Sequence, residues 1–208
     1  MKKVLLTAAF VLVAANAFAV ITNSKHDFSA SGSAVAYGNA ATAGTQICVY
    51  CHTPHNAKTS ALIWSRNNGS AAVVMYDKNV SSTLNLTMEA QIGVSSTLCM
   101  SCHDGTVAVD SFNSNGGSGA AKTITSSANL GGNMTNDHPI GFIYTSTSAD
   151  TDIVNAATIT LPLFVNGAKT GSMECATCHD VHAKQGVQAK FLRIDNSGSN
   201  LCKSCHLK

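Results

Sequence analysis

Residues 48–55 read CVYCHTPH, so two cysteines and a histidine form one C-x-x-C-H group, and a second histidine follows three residues later. The C-x-x-C-H group occurs three more times along the chain. Together the four groups use all eight cysteines: Cys48 and Cys51, Cys99 and Cys102, Cys175 and Cys178, and Cys202 and Cys205. A group that recurs four times and leaves no cysteine over indicates that these sites organise the fold.

C-x-x-C followed at once by histidine is the attachment signal for c-type haem. Positions i, i+3 and i+4 share one face of a helical turn, so two thiols can hold the porphyrin edge while the adjacent imidazole reaches the iron. Zinc ribbons do not require a histidine after each pair, and disulfides do not explain the histidines. The sequence therefore predicts four covalent c-type haems with four proximal ligands: His52, His103, His179 and His206.

The other histidines match the open iron positions in number. Four irons need eight axial ligands, and the chain has eight histidines. We expect the remaining four to be distal ligands: His26, His55, His138 and His182. Methionine is the rival distal ligand, but we expect Met75, Met88, Met134 and Met173 to fill gaps against the porphyrins. Bis-histidine iron has no open position for a substrate, which favours electron transfer over catalysis.

The second histidine of CVYCHTPH needs an iron of its own. If the helical turn continues, His52 and His55 lie on one side of it, so His55 cannot reach the opposite face of the ring that His52 ligates. We expect His55 to ligate a different iron, in the same chain or in a neighbouring one. The doublet recurs as His179 and His182 in CATCHDVH, so each doublet is expected to connect two haems.

Residues 1–19, MKKVLLTAAFVLVAANAFA, have the basic start, apolar run and A-x-A end of a Sec signal peptide. We expect cleavage after Ala19 and a secreted mature chain of 208 − 19 = 189 residues, located outside the cell or in the periplasm. Without Lys2 and Lys3, 11 basic and 11 acidic side chains remain. This balance gives no indication of a nucleic-acid partner.

Long regular elements are scarce in the sequence. The mature chain offers 189/4, or about 47, residues per predicted haem. We expect one domain over 20–208 that is mostly irregular, with short α-helices at the haem motifs, a small β-hairpin turning at Asn166-Gly167, and a core packed with haem.

Several short segments of the sequence resemble those of the doubled-CXXCH multihaem cytochromes: the four C-x-x-C-H groups, the CHTPH and CHDVH doublets, HDFS at 26–29 and DHPIGF at 137–142. The resemblance covers nearly the whole mature chain and is greatest to the tetrahaem outer-surface filament type of metal-reducing bacteria. It implies bis-histidine haems in alternating parallel and T-shaped contacts, and a homopolymer outside the cell. Other implied partners are redox cytochromes and extracellular electron acceptors.

The resemblance also implies a role for the histidine three residues past the first group. In such filaments this residue ligates the last haem of the adjacent subunit, which in this sequence assigns His55 to the haem on Cys202, Cys205 and His206. His26 is the alternative residue for that contact, since an N-terminal segment can also reach a neighbour.

Three other functions stay open at the level of sequence. The first is a monomeric periplasmic electron shuttle, although such shuttles tend to use a charged docking patch and the charge here is sparse and balanced. The second is a quinol-oxidising tetrahaem protein held in the membrane by an uncleaved N-terminal segment. The third is a haem enzyme with one labile axial ligand, which high-spin iron in the resting spectrum would reveal.

The haem count is directly measurable. We expect the intact mass of the secreted protein to equal the chain from Val20 onward plus four haem groups, because every C-x-x-C-H group receives one. Mass spectrometry of the purified product checks this. A product that carries fewer than four haems contradicts it.

Overall fold

The computed structural model describes residues 21–38, 44–58, 61–69, 72–113, 117–144, 151–182 and 189–207. The predicted signal segment, 1–19, lies outside these described residues. Within the described ranges, no helix has both the length and the apolar character needed to cross a bilayer.

Helical structure is short and is concentrated at the C-x-x-C-H motifs. The α-helices are α1 (Val94–His103), α2 (Cys175–Cys178) and α3 (Asn200–Lys203). Each of them contains cysteines of the second, third or fourth motif, whereas the first motif begins in the 3-10 helix Ile47–Tyr50. The other 3-10 helices are Val35–Tyr37, Ala61–Ile63, Gly119–Lys122, Ala189–Phe191 and Ser197–Ser199.

In the described part of the chain, five short strands form two small sheets: β1 (Val74–Met75), β2 (Asn133–Met134), β3 (Phe142–Ile143), β4 (Phe164–Asn166) and β5 (Lys169–Met173). Strands β1 and β2 pair in parallel. The other sheet is antiparallel, with the strand order β3-β5-β4.

The β4–β5 hairpin positions the third motif. Gly167 lies in the turn with φ of 60°, a conformation that glycine adopts without the steric cost of a side chain. Strand β5 then leads through Glu174 directly into α2. The third motif is therefore attached to the end of the central strand of its sheet.

The buried apolar side chains form three small clusters. The largest contains Phe142, Tyr144, Leu161, Met173 and Cys205. A second joins Tyr50 to Phe112, and a third joins Ile92, Met100 and Met134. A domain usually has one contiguous core with smaller satellite clusters. The predicted haem-packed core stays a prediction, and it would supply the apolar surface that connects these clusters.

The small clusters lead to a prediction about the chain without haem. We expect a variant with all eight cysteines changed to alanine to show no cooperative thermal transition, because attachment supplies folding free energy as metal binding does in small metallo-domains. Circular dichroism during heating measures this, with the haem-loaded chain as the control. A sharp transition in the eight-alanine variant would show that the polypeptide folds by itself.

Candidate haem-binding site

Each C-x-x-C-H motif forms a single backbone turn. In the first, third and fourth motifs, the histidine N–H donates to the carbonyl of the first cysteine at 2.8, 3.1 and 2.9 Å. The second motif lies inside α1 and ends it at His103. In all four motifs, two thiols and one imidazole therefore project from one turn, as a two-point covalent attachment with an adjacent ligand requires.

In the first and third motifs, the helical turn does not continue past the motif histidine. Helix α2 ends at Cys178, and His179 is extended, with φ of −110° and ψ of 141°. The N–H of Thr53, after the first motif, donates to the Ile63 carbonyl at 2.9 Å, and the N–H of Asp180, after the third, donates to the Phe191 carbonyl at 2.8 Å. Pairing with a later segment replaces the helix, so the condition for both histidines of a doublet to share one helical side, a continuing turn, is not met.

Three proximal histidines are oriented by backbone carbonyls. The Nδ1 of His52 lies 2.8 Å from the Leu62 carbonyl oxygen, and the Nδ1 of His179 lies 2.8 Å from that of Lys190. The Nδ1 of His103 lies 2.7 Å from the Ala128 carbonyl oxygen. A carbonyl can only accept, so each Nδ1 carries the proton and each Nε2 keeps its lone pair for a metal. These rings fit the axial position of a haem iron.

The segments that hold His52 and His179 have the same backbone geometry. Leu62 and Ile63 have φ of 56° and 49°, and Lys190 and Phe191 both have φ of 57°. A left-handed conformation costs a non-glycine residue about 1–2 kcal/mol, and such strain concentrates at functional sites. In both segments it turns a carbonyl toward the imidazole. The recurrence of the CHTPH doublet as CHDVH is visible in the sequence, whereas the matching geometry of these later segments is visible only in the structure.

Three of the motif histidines face a histidine from elsewhere in the chain. The ring centres are 6.1 Å apart for His26 and His103, 6.1 Å for His52 and His182, and 6.2 Å for His138 and His206. Metal–imidazole bonds are about 2.0–2.1 Å long, so one metal ion between two imidazole nitrogens holds the ring centres about 6 Å apart. All three pairs fit this spacing.

His55 and His179 are the two histidines left without a ring partner. Both are exposed, and within the described residues no aromatic or imidazole ring contacts either of them. The ring geometry does not support His206 as the target of His55, since His138 already lies opposite His206. Among the described residues, His179 and His55 therefore have no histidine ring opposite them at the 6 Å spacing, although His179 lies near enough to His26 to lower the pKa of His26.

The surroundings of His26 keep its ring neutral. Burial, together with the nearby rings of His103 and His179, lowers the pKa of His26 to about 4. The ring also stacks on Phe191 at 4.8 Å, next to the carbonyl that orients His179. A neutral imidazole has the free lone pair that a metal ligand needs.

Each of the first three C-x-x-C-H motifs has a cysteine that interacts with a cysteine of the next motif. Burial raises the pKa of the Cys51 thiol to about 12 and that of Cys178 to about 11, and a thiol of the next motif, Cys102 or Cys205 respectively, raises each of them further. A hydrogen bond to Cys175, with burial, raises the pKa of Cys99. Cysteines of consecutive motifs are therefore close enough to interact electrostatically.

Residues 168–208 match the family model described as the doubled CXXCH motif. The match spans 41 of the 208 residues and covers the third and fourth motifs. No curated protein matches the chain. The matched motifs indicate covalently bound c-type haem and point to a multihaem c-type cytochrome that transfers electrons.

The ring pairs lead to a spin-state prediction. We expect the His182→Ala variant to contain one more five-coordinate, high-spin iron than the unmodified chain, when the two are compared in the same state of assembly. The reason is that the iron bound by His52 loses its distal ligand. Magnetic circular dichroism and electron paramagnetic resonance count the spin states. Met75→Leu is the control and should change nothing. An unchanged low-spin count in His182→Ala would contradict the His52–His182 pair.

Proposed function

We propose that the chain is a secreted tetrahaem c-type cytochrome that conducts electrons and assembles head to tail into an extracellular filament. The observation that supports this most strongly is the histidine arrangement. Three ring pairs have the separation of bis-histidine iron, while one proximal and one distal candidate remain unpaired. The three ring pairs favour electron transfer, and the two unpaired histidines favour assembly.

Electron transfer follows from the filled axial positions. An iron with an imidazole on each side offers no vacant position to a small substrate, so its remaining chemistry is the gain and loss of one electron. The protein's own part is to fix the rings through backbone carbonyls and to hold the attachment turns next to one another. Redox partner cytochromes and extracellular electron acceptors are the proposed donors and recipients.

Assembly follows from the two unpaired histidines. We propose that His55 of one subunit ligates the iron held by His179 of the next. His55 lies beside a segment whose side chains are unusually exposed for their type, with Leu62 at 66% and Ile63 at 51%. This apolar surface would be covered in the contact. Val181, exposed and two residues beyond His179, belongs to the opposing surface.

This contact joins two different surfaces of the same chain. Such a heterologous interface repeats from copy to copy and produces an open filament when its rotation does not close into a ring. Cysteines of consecutive motifs interact electrostatically within the subunit, and the interface would add the contact between the attachment sites of adjacent subunits. A monomeric shuttle would instead leave His55 without an iron.

His55→Ala tests the proposal. We expect the variant to carry four haems, remain monomeric and contain one high-spin iron, because the His179 iron loses the ligand from its neighbour. Electron microscopy and size-exclusion chromatography report assembly. Lys58→Ala, three residues away and also exposed, is the matched control and should form filaments.

Two outcomes would overturn the assembly proposal. One is a His55→Ala filament in which every iron is six-coordinate and low-spin. The other is an unmodified protein that stays monomeric with four low-spin irons, which would favour the periplasmic shuttle.

A further inference from the structure

Helix α1, which carries the second motif, lies between two buried charged side chains of opposite sign. Arg66 is 1% exposed and Glu174 is 0% exposed. Within the described residues, neither has an oppositely charged side chain within ion-pair distance. Charged residues are almost never fully buried without a partner, so both positions call for an explanation.

Arg66 lies at the C-terminal end of α1. Its guanidinium donates to the carbonyls of Val109, Ala108 (2.7 Å) and Ser101 (3.4 Å). Its Nε is buried and has no hydrogen-bond partner among the described residues. Within the described part of the chain, the positive charge is therefore solvated by backbone dipoles, and no carboxylate lies within ion-pair distance of it.

Glu174 lies at the N-terminal end of α1. Its carboxylate accepts from the Gly93 N–H at 3.0 and 3.1 Å, from the Ser172 hydroxyl at 2.6 Å and from the Ser96 hydroxyl. Ser96 Oγ accepts the Cys175 N–H at 3.0 Å, so its own proton is free to point at Glu174. The Ser172 hydroxyl also lies 3.3 Å from the Phe142 carbonyl oxygen, so Glu174, at a much shorter distance, is the better acceptor for its single proton.

The two charges lie beside different haem-attachment residues. The Arg66 guanidinium donates to the carbonyl of Ser101, inside the second motif, and the N–H of the adjacent Ser65 donates to the Cys51 carbonyl at 2.9 Å. Arg66 is therefore close to the first and second motifs. Glu174 directly precedes Cys175 and binds Ser96, three residues before Cys99, so it lies between the second and third motifs.

Both side chains also complement the dipole of α1, but that interaction does not require burial. A buried charge is screened far less than an exposed one, and its field acts at an effective dielectric constant of about 20, compared with about 80 in water. A nearby cation favours the reduced form of a redox centre, and a nearby anion favours the oxidised form.

We propose that Arg66 and Glu174 are a pair of fixed charges that separate the reduction potentials of the first three haems. Arg66 raises the potentials of the haems on the first and second motifs, and Glu174 lowers those on the second and third. Each exchange moves one electron from one iron to another, with no bond formed or broken. The inference rests on the proposed multihaem electron transfer. It implies that, among the first three haems, the electron resides preferentially on the haem of the first motif.

Redox titration of neutral variants tests this inference. We expect Arg66→Gln to lower at least one of the macroscopic potentials and Glu174→Gln to raise at least one. Each change should alter the reduction equilibrium on the order of tenfold, or about 59 mV for a one-electron couple. Spectroelectrochemistry on purified haem-loaded monomer measures the potentials, and the shifts should persist at 1 M salt because the charges are buried.

The chain offers matched controls. Lys169 and Glu89 form an exposed ion pair at 2.7 Å, with 60% and 22% of their side chains accessible. Lys169→Gln and Glu89→Gln remove the same charges from a solvated site, so neither should shift any potential. Arg66→Lys keeps the charge and should keep the potentials, although it loses the forked contact to three carbonyls.

The outcomes separate this inference from the function on which it rests. Four haems by mass together with unshifted potentials in both neutral variants would overturn the inference and leave the proposed function standing. Fewer than four haems in the unmodified chain would overturn the proposed function. If Arg66→Gln yields no haem-loaded protein, Glu174→Gln decides the matter: a raised potential supports the inference, and an unchanged one refutes it.

Discussion

The structure depends on imidazole rings whose orientation is fixed by hydrogen bonds to backbone carbonyls. In the first, second and third motifs, Nδ1 binds a main-chain carbonyl and leaves Nε2 for a metal. The carbonyls come from segments 10 to 25 residues further along the chain, so each motif is completed by residues far from it in sequence. Two of these segments contain consecutive left-handed residues. Strain of this kind persists only where the surrounding contacts fix the backbone, as they do around His52 and His179.

The histidine pairs connect segments that few other interactions hold together. Strands of two to five residues and three small apolar clusters offer limited stabilisation without a cofactor. The pair of His26 and His103 joins the N-terminal segment to α1, and that of His52 and His182 joins the first motif to the third. A metal ion between each pair would act as a crosslink between distant segments. Cofactor binding and folding would then be one process, and conduction would use the same contacts as stability.

The chemistry of the site was predictable from the sequence, whereas the pairing of its ligands was not. Cysteine and histidine in C-x-x-C-H are dictated by covalent attachment, so the motif residues can be read directly. Which distal histidine faces which motif depends on the path of the chain, and three ring separations indicate it. The carbonyls of Leu62, Ala128 and Lys190 carry no residue-type signal and were not foreseen. Arg66 and Glu174 were missed for another reason, since charged residues in a sequence are read as surface unless a partner is evident.

We propose that a single chain supplies both ligands to three irons and only one ligand to the fourth. The direct test is to count iron spin states in monodisperse monomer and in assembled filament at the same pH, using electron paramagnetic resonance and magnetic circular dichroism. The account predicts three low-spin irons and one high-spin iron per monomer, and four low-spin irons per subunit in the filament. Four low-spin irons in the isolated monomer would contradict it.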